Sequence, residues 1–347
     1  MKFINPQLFF YFNDKKIIAW DYKNHRQFEL VAEHINYLFQ VAEGQQLPAA
    51  VETQLVDLGL IVDQPNSLKW QWDRLSEIFH YGTCITSQTA GIDYQLQHCL
   101  QNSAHLAELE NNLFFHRQGE DYMLPASAPI PTIDFIEVLK QRKTCRDFHN
   151  KNLSAAIFSG LLANVFGISR NDHQEYAKFG LQYLGMRKTS PAAGGLHSTE
   201  AYVVILNVEG FKPGIYHFNV SKHCLTLINA QDLRHELDQA LCQQDYANDL
   251  AFGVFLTARF DKLWQKYPHS RAYRMALIDV GHVSQTFQLL ATAYHLDPWL
   301  TGAFNDELAR QWLHISEDCE HPLFFVGAGF GNKSSLDIAH KQLGLAQ

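Results

Sequence analysis

The spacing of apolar residues divides the chain into stretches of different period. Leu8-Phe-Phe-Tyr-Phe12 and Lys16-Ile-Ile-Ala-Trp20 are short aromatic and β-branched runs with Asn13-Asp14 between them, which predicts a hairpin. Phe28 to Ala42 then takes helical spacing, with Leu30, Ile35, Leu38 and Val41 on one face. Pro48 opens a second helix whose apolar face is Val51, Leu55 and Leu58, and Gly59 is its expected stop. Leu60-Ile-Val62 and Lys69-Trp-Gln-Trp72 read as short strands. Strands around two helices predict a small winged-helix-like module over residues 1–75.

Residues 76–131 carry no sustained period and form a connecting segment that includes Tyr94, Leu96 and Leu100. Pro125, Pro129 and Pro131 mark its end, because closely spaced prolines fit neither a helix interior nor a central strand. From residue 132 the pattern strengthens. Thr132 is placed to cap a helix from Ile133 to Lys140, and Ser154 one that carries Ile157, Leu161 and Val165. Ala201–Asn207, Gly214–Phe218, Cys224–Ile228 and Phe252–Thr257 are consecutive strands, with Asn219-Val-Ser-Lys222 as a hairpin loop. A helix follows with Val283, Phe287, Leu290 and Tyr294 on one face, then a short helix capped by Asn305. Leu323 to Gly331 is a buried strand. The expected class is α+β: a mixed or antiparallel sheet flanked by helices over 132–347, with the N-terminal module.

Composition supports a globular protein, with 46% apolar and 18% charged residues. The net charge of −8, with no basic patch, argues against a nucleic-acid partner. Six scattered cysteines without a C-x-x-C pair read as free thiols of a reducing compartment. No long apolar run or secretion-type N-terminus is present, so the expectation is a cytoplasmic protein without a membrane partner. The 18 histidines show no metal-binding spacing; His217 and His223, in one hairpin, could meet but read as packing residues.

Two stretches stand out for chemistry. Ser190-Pro-Ala-Ala-Gly-Gly-Leu-His197 is a glycine turn running into a strand, which lets backbone press against a flat ligand. Arg142-Lys-Thr-Cys-Arg146 concentrates cations and a hydroxyl at a helix exit, a set suited to phosphate but equally to a helix C-terminus. Gly327-x-Gly329 after a strand invites a dinucleotide reading, but Asn332 stands where the third glycine belongs.

Taken in order, Arg-Lys-Thr-x-Arg, Pro-Ala-Ala-Gly-Gly-Leu-His, Lys-Tyr-Pro-x-x-Arg-Ala-Tyr-Arg, Gly281-His-Val-Ser-Gln285 and Gly302-Ala-Phe304 resemble the nitroreductase-like flavoproteins. The resemblance spans residues 79–333 and is to the SagB-type branch, azoline dehydrogenases of thiazole/oxazole-modified peptides. It implies a homodimer with FMN at the interface, a peptide substrate, and a cyclodehydratase or ligase partner. Carried over, Arg142, Lys143, Thr144 and Arg146 resemble the first FMN-binding segment. Ala193, Gly194 and His197 resemble the flavin wall, and Gln285 a helix contact to the cofactor. Gly302 matches a backbone donor near flavin N5, and Lys333 a second phosphate cation. Lys266 and Tyr267 match the pair that abstracts a proton. Ala192 departs from the serine common at that place.

Other readings of these residues remain open. Lys266-Tyr267 also fits a surface lysine beside a packing tyrosine. The whole chain also fits an NAD(P)H-dependent nitroreductase or ene-reductase acting on small molecules, or a flavin-fold scaffold without activity.

Overall fold

The computed structural model describes residues 2–64, 70–85, 114–178, 185–316 and 318–336. The chain forms two units, Met1–Tyr94 with His269–Arg271, and the remainder.

In the first unit, strands Leu8–Asn13, Lys16–Asp21 and Arg26–Leu30 make an antiparallel sheet, and Phe3–Ile4 pairs with Ile61–Val62. Helices Ala32–Ala42 and Ala49–Asp57 supply Leu38, Val41 and Leu55 to a core with Ala19, Leu30 and Ile61. The expected hairpin is present, and Gly59 follows the second helix with φ +73°. Phe28, however, belongs to a strand, opposite Ala19, and the helix begins only at Ala32. Leu30 is buried by pairing with Ile17, so its apolar match to the helical face is coincidental.

The expected strand at Lys69–Trp72 is also absent over its described part, Trp70–Trp72. Instead, the Trp70 indole N–H donates to Ser76 Oγ at 2.9 Å, and its ring meets Trp72 edge-on. Asp73 then caps helix Arg74–Gly82, accepting from the Ser76 N–H. The segment expected around Tyr94, Leu96 and Leu100 lies outside the described residues.

The second unit is built on an antiparallel sheet. Its order is Asp297–Thr301, Glu320–Gly331, Phe252–Arg259, Thr199–Ile205, Gly214–Asn219, Cys224–Asn229 and Asp121–Met123. Phe148–His149 adds to the far end of Glu320–Gly331. The class expected from the pattern, α+β with helices flanking the sheet, is the class observed.

Every residue of Thr199–Ile205 is buried, which explains the unbroken apolar run from Ala201 onward. Ala201, Val203 and Ile205 face one core, with helices Ala155–Phe166 and Arg271–Ala293. Tyr202 and Val204 face the other, with helices Leu237–Ala240 and Asp306–Trp312. The sheet is thus covered on both faces, and its alternate side chains feed two separate cores.

Helix boundaries follow local chemistry. Asp134, not Thr132, caps Phe135–Gln141, since its carboxylate accepts from both the Ile136 and Glu137 N–H groups. Ser154 sits at the expected start of the next helix, but its side chain makes no capping bond. Asn305 caps as expected, through the Leu308 N–H. The glycines of the last strand serve packing: a Cβ on Gly331 would fall 2.5 Å from Asp147 O and 2.7 Å from Cys145 Sγ. No helix among the described residues is long and apolar enough to cross a membrane.

Phe287 joins the long helix to the sheet, its ring edge-on to Phe252, and both are fully buried. Phe287→Ala is expected to cost about 3–5 kcal/mol in chemical denaturation. Phe39→Ala, at a largely exposed ring, should stay within about 0.5 kcal/mol.

Candidate functional site

The glycine turn comes directly before the central strand, at the sheet end where Thr199 pairs with Ala258. Ala193–Gly195 is one tight helical turn, and the backbone is left-handed at Gly194, Gly195 and His197. Lys266 and Tyr267 leave the short helix Phe260–Trp264, their N–H groups both bonded to Leu263 O. They arrive on top of Gly194. Lys266 Nζ donates to Gly194 O at 3.0 Å. A Cβ on Gly194 would lie 2.5 Å from Tyr267 Oη and 2.7 Å from Lys266 Nζ. Residue 194 therefore has to be glycine both for its φ of +59° and for the space those two groups occupy. The Tyr267 ring packs with Leu196, Leu263 and Ala276.

The long helix Arg271–Ala293 backs the turn. Asp279 accepts the Ala193 N–H, at 3.0 Å to each carboxylate oxygen. Ser190 Oγ lies 2.6 Å from Thr286 Oγ1. Further along, Gln288 Oε1 accepts from Arg142 at 3.2 Å, and Gln288 donates to Gln285 Oε1 at 3.4 Å. From Asp279 to Gln288 the helix advances about 14 Å. Gln285 lies between these two anchor points and is exposed.

The cationic segment gathers at that second anchor. Arg146 donates from its N–H to Ser334 O at 2.7 Å and from its guanidinium to Ser335 O at 2.8 Å. This brings it beside Lys333, whose charge in turn is felt by Asp297. Burial raises the Asp297 carboxyl, while the Gly331 N–H and Lys333 pull it back. Lys143 is exposed and Thr144 half-buried. Gly302 lies just past the strand residue Thr301, and a Cβ there would meet the Phe324 ring at 3.3 Å. Leu323, next to Phe324, packs against the same apolar cluster around Leu196 and Leu263 as Tyr267 does. The expected residues thus fall in separate places: Ala193, Gly194, Lys266 and Tyr267 at the turn, Arg142 at Gln288 of the long helix, and Arg146 against Ser334 and Ser335, next in sequence to Lys333.

His197 turns its ring beneath the turn, with Nε2 3.1 Å from Met186 O. Burial first, then Lys188, push its pKa down to about 4. The ring is neutral near pH 7, and Nε2 carries the proton that the carbonyl accepts. His217 and His223 do not meet: one faces Glu200 and the other Ser159.

Beside His197 lies a charged cluster that motif reading passed over. Glu200 Oε1 accepts from Lys262 Nζ at 3.1 Å, and Oε2 lies 3.3 Å from His217 Nε2. Burial alone would raise the Glu200 carboxyl, but Lys262 and then His217 hold it at about 2. Lys188 is lowered to about 8 by burial, against the pull of Glu200. The sequence signal was the single acid in the apolar run Ala201–Leu206 and its approach. Lys262 lies in the helix Phe260–Trp264 that leads into Lys266, so its ion pair with Glu200 ties that helix to the central strand.

Comparison with known proteins agrees with this architecture. The sequence profile of the nitroreductase family matches residues 139–330, more than half of the chain. The chain belongs to the nitroreductase family. Among curated relatives, the family protein MJ1384 of Methanocaldococcus jannaschii is 27% identical over 58% of this chain and 92% of its own. The trifolitoxin-processing protein TfxB of Rhizobium leguminosarum bv. trifolii is 28% identical over 60% of this chain and 56% of its own. A nitroreductase-family crystal structure from Anabaena variabilis superposes with a TM-score of 0.56, at 19% identity. It covers 76% of this chain, which spans about half of that longer one (49%). The resemblance drawn from the motifs, to the nitroreductase-like flavoproteins, therefore holds at the level of the family.

In this nitroreductase-family protein, Gly194→Ala should cost about 1–2 kcal/mol from the left-handed backbone alone, read by denaturation. It should also displace Lys266 and Tyr267. Glu200 yields a pH prediction. Its pKa is depressed on folding, from 4.5 to about 2, so its stabilisation is complete above pH 4.5 and lost as pH falls towards 2. Glu200→Gln should be less stable than wild type at pH 7, and the gap should narrow between pH 5 and 2. A gap independent of pH would refute the assignment.

Proposed function

We propose that this protein is an FMN-dependent dehydrogenase of a ribosomally made peptide, oxidising an azoline to an azole or an equivalent residue. The observation that carries the reading is the placement of Lys266 and Tyr267 on Gly194, two proton-handling groups over one glycine that has no side chain. The likeness to TfxB, a trifolitoxin-processing protein, supports a peptide as the substrate.

The residues present fit the cofactor. Arg142, Arg146 and Lys333 are a cation set for its phosphate, and the Ala193–Gly194 backbone offers a flat wall at the other end of the same helix. Gln285, exposed between them, supplies a polar contact midway, and Gly302 a backbone donor. When bound, FMN supplies a hydride acceptor at N5. Azoline oxidation also releases a proton from the neighbouring carbon, and Tyr267 with Lys266 is the pair positioned to take it. Two polar groups side by side allow one to accept the proton while the other balances the charge.

Assembly follows from the surface. Phe135, Ile136 and Leu139 are exposed on one helix, and Leu277 and Ile278 on the long helix. Exposed apolar residues of this kind favour a partner, and we assign them to a homodimer. The N-terminal unit is assigned to docking of the peptide, or of a cyclodehydratase or ligase. The likeness to MJ1384 favours a second reading, an NAD(P)H-dependent reductase of small molecules.

The purified protein should be yellow, with FMN released on denaturation. Lys266→Ala and Tyr267→Phe should keep the flavin and lose peptide oxidation by about a hundredfold or more. Full activity in both variants would eliminate this pair as the base. Rapid bleaching of the flavin by NAD(P)H without any peptide turnover would favour the reductase. Arg146→Ala should lower flavin occupancy, measured by absorbance against protein concentration.

A further inference from the structure

The Ala193–Gly194 unit is gripped from two sides by groups of opposite charge. The Asp279 carboxylate takes the Ala193 N–H, and the Lys266 ammonium donates to Gly194 O, each at 3.0 Å. Between and beyond these contacts the backbone is left-handed at residues 194, 195 and 197. Such a conformation at a histidine persists only where its surroundings over-determine it. Asp279 sits on the buried side of the long helix, between Ala276 and Val280, and is itself only 4% exposed. Burying a carboxylate is costly and needs a specific contact in return. Here that contact is a backbone N–H of the turn.

We propose that Asp279 is a positioning residue: by holding the Ala193 N–H it sets the turn on which Lys266 and Tyr267 rest, and so the place of their proton-handling atoms. Its hydrogen bond goes to the backbone of the turn, and it acts on the two side chains through that turn. The kinetic part of this inference rests on the function proposed above for Lys266 and Tyr267; the structural part stands without it.

Three substitutions in the full-length protein separate the possibilities. Asp279→Ala removes the acceptor. Asp279→Asn keeps an oxygen in place but removes the charge. Ala193→Pro removes the donor with Asp279 intact. The backbone accepts proline there, because residue 193 opens the turn and Ala192 is already extended, with ψ 147°; the ring carbon takes the place of the N–H, so the Asp279 carboxylate has to turn aside. Hydrogen–deuterium exchange of residues 190–197 is the first readout. D279A and A193P should each speed exchange there about tenfold, with the core strand 252–259 unchanged, and D279N should stay within about threefold of wild type.

Peptide oxidation is the second readout. D279A and A193P should each lower kcat about tenfold with KM nearly constant, and the D279A/A193P double variant should be no worse than either alone. Wild-type exchange in D279A, equal loss in D279N and D279A, or a multiplicative hundredfold loss in the double would overturn the proposal. Should D279A fail to fold, A193P decides alone: unchanged exchange at 194–197 overturns the proposal. If the wild type oxidises no peptide, the functional reading fails while the exchange comparison still tests the positioning.

Discussion

A sheet buried on both faces leaves only its ends for chemistry. Thr199–Ile205 has no exposed residue, because alternate side chains enter two separate cores. A ligand can approach the strand only where the chain enters it. The entry is the Ser190–His197 turn, and the neighbouring strand Phe252–Arg259 ends beside it, leading into the helix before Lys266 and Tyr267. The site is therefore placed by strand register: the antiparallel pairing of Thr199 with Ala258 brings Gly194 and Lys266, 72 positions apart, to one spot.

Burial on both faces also governs the charges near the site. Glu200, Lys262 and His217 are removed from water, so each needs the others, and the depressed Glu200 carboxyl records that dependence. Breaking a buried pair leaves an uncompensated charge, whereas the complete cluster holds the helix Phe260–Trp264 to the strand. The same low-dielectric surroundings keep His197 neutral and bring Lys188 down towards the neutral range. These are structural supports of the turn, distinct from Arg142 further along the long helix. That helix is the common ruler, with Asp279 at the turn and Gln288 at Arg142.

Much of this was legible in the residue order. Apolar runs marked Ala201–Asn207 and Phe252–Thr257 as strands, and Asn219–Lys222 marked their hairpin neighbour. Local competition blurred the boundaries. Asp134 outcompeted Thr132 as a cap because a carboxylate can accept two N–H groups, and Phe28 followed its strand partner instead of the helical period. Asp279 and Glu200 were not singled out, since a lone acid in an apolar stretch has no motif; its meaning depends on what lies opposite.

By itself, the sequence determined the element types of the sheet domain, the glycine turn before its central strand, and the family to which its ordered motifs belong. These are properties of local spacing and residue type, and they survive without knowledge of partners. Tertiary structure alone decided that Lys266 and Tyr267 rest on Gly194, that Asp279 holds Ala193, and that Arg146 meets Ser334 and Ser335. Those contacts join segments far apart in the chain, and their distances are set by register and packing of the whole domain, which no local pattern encodes.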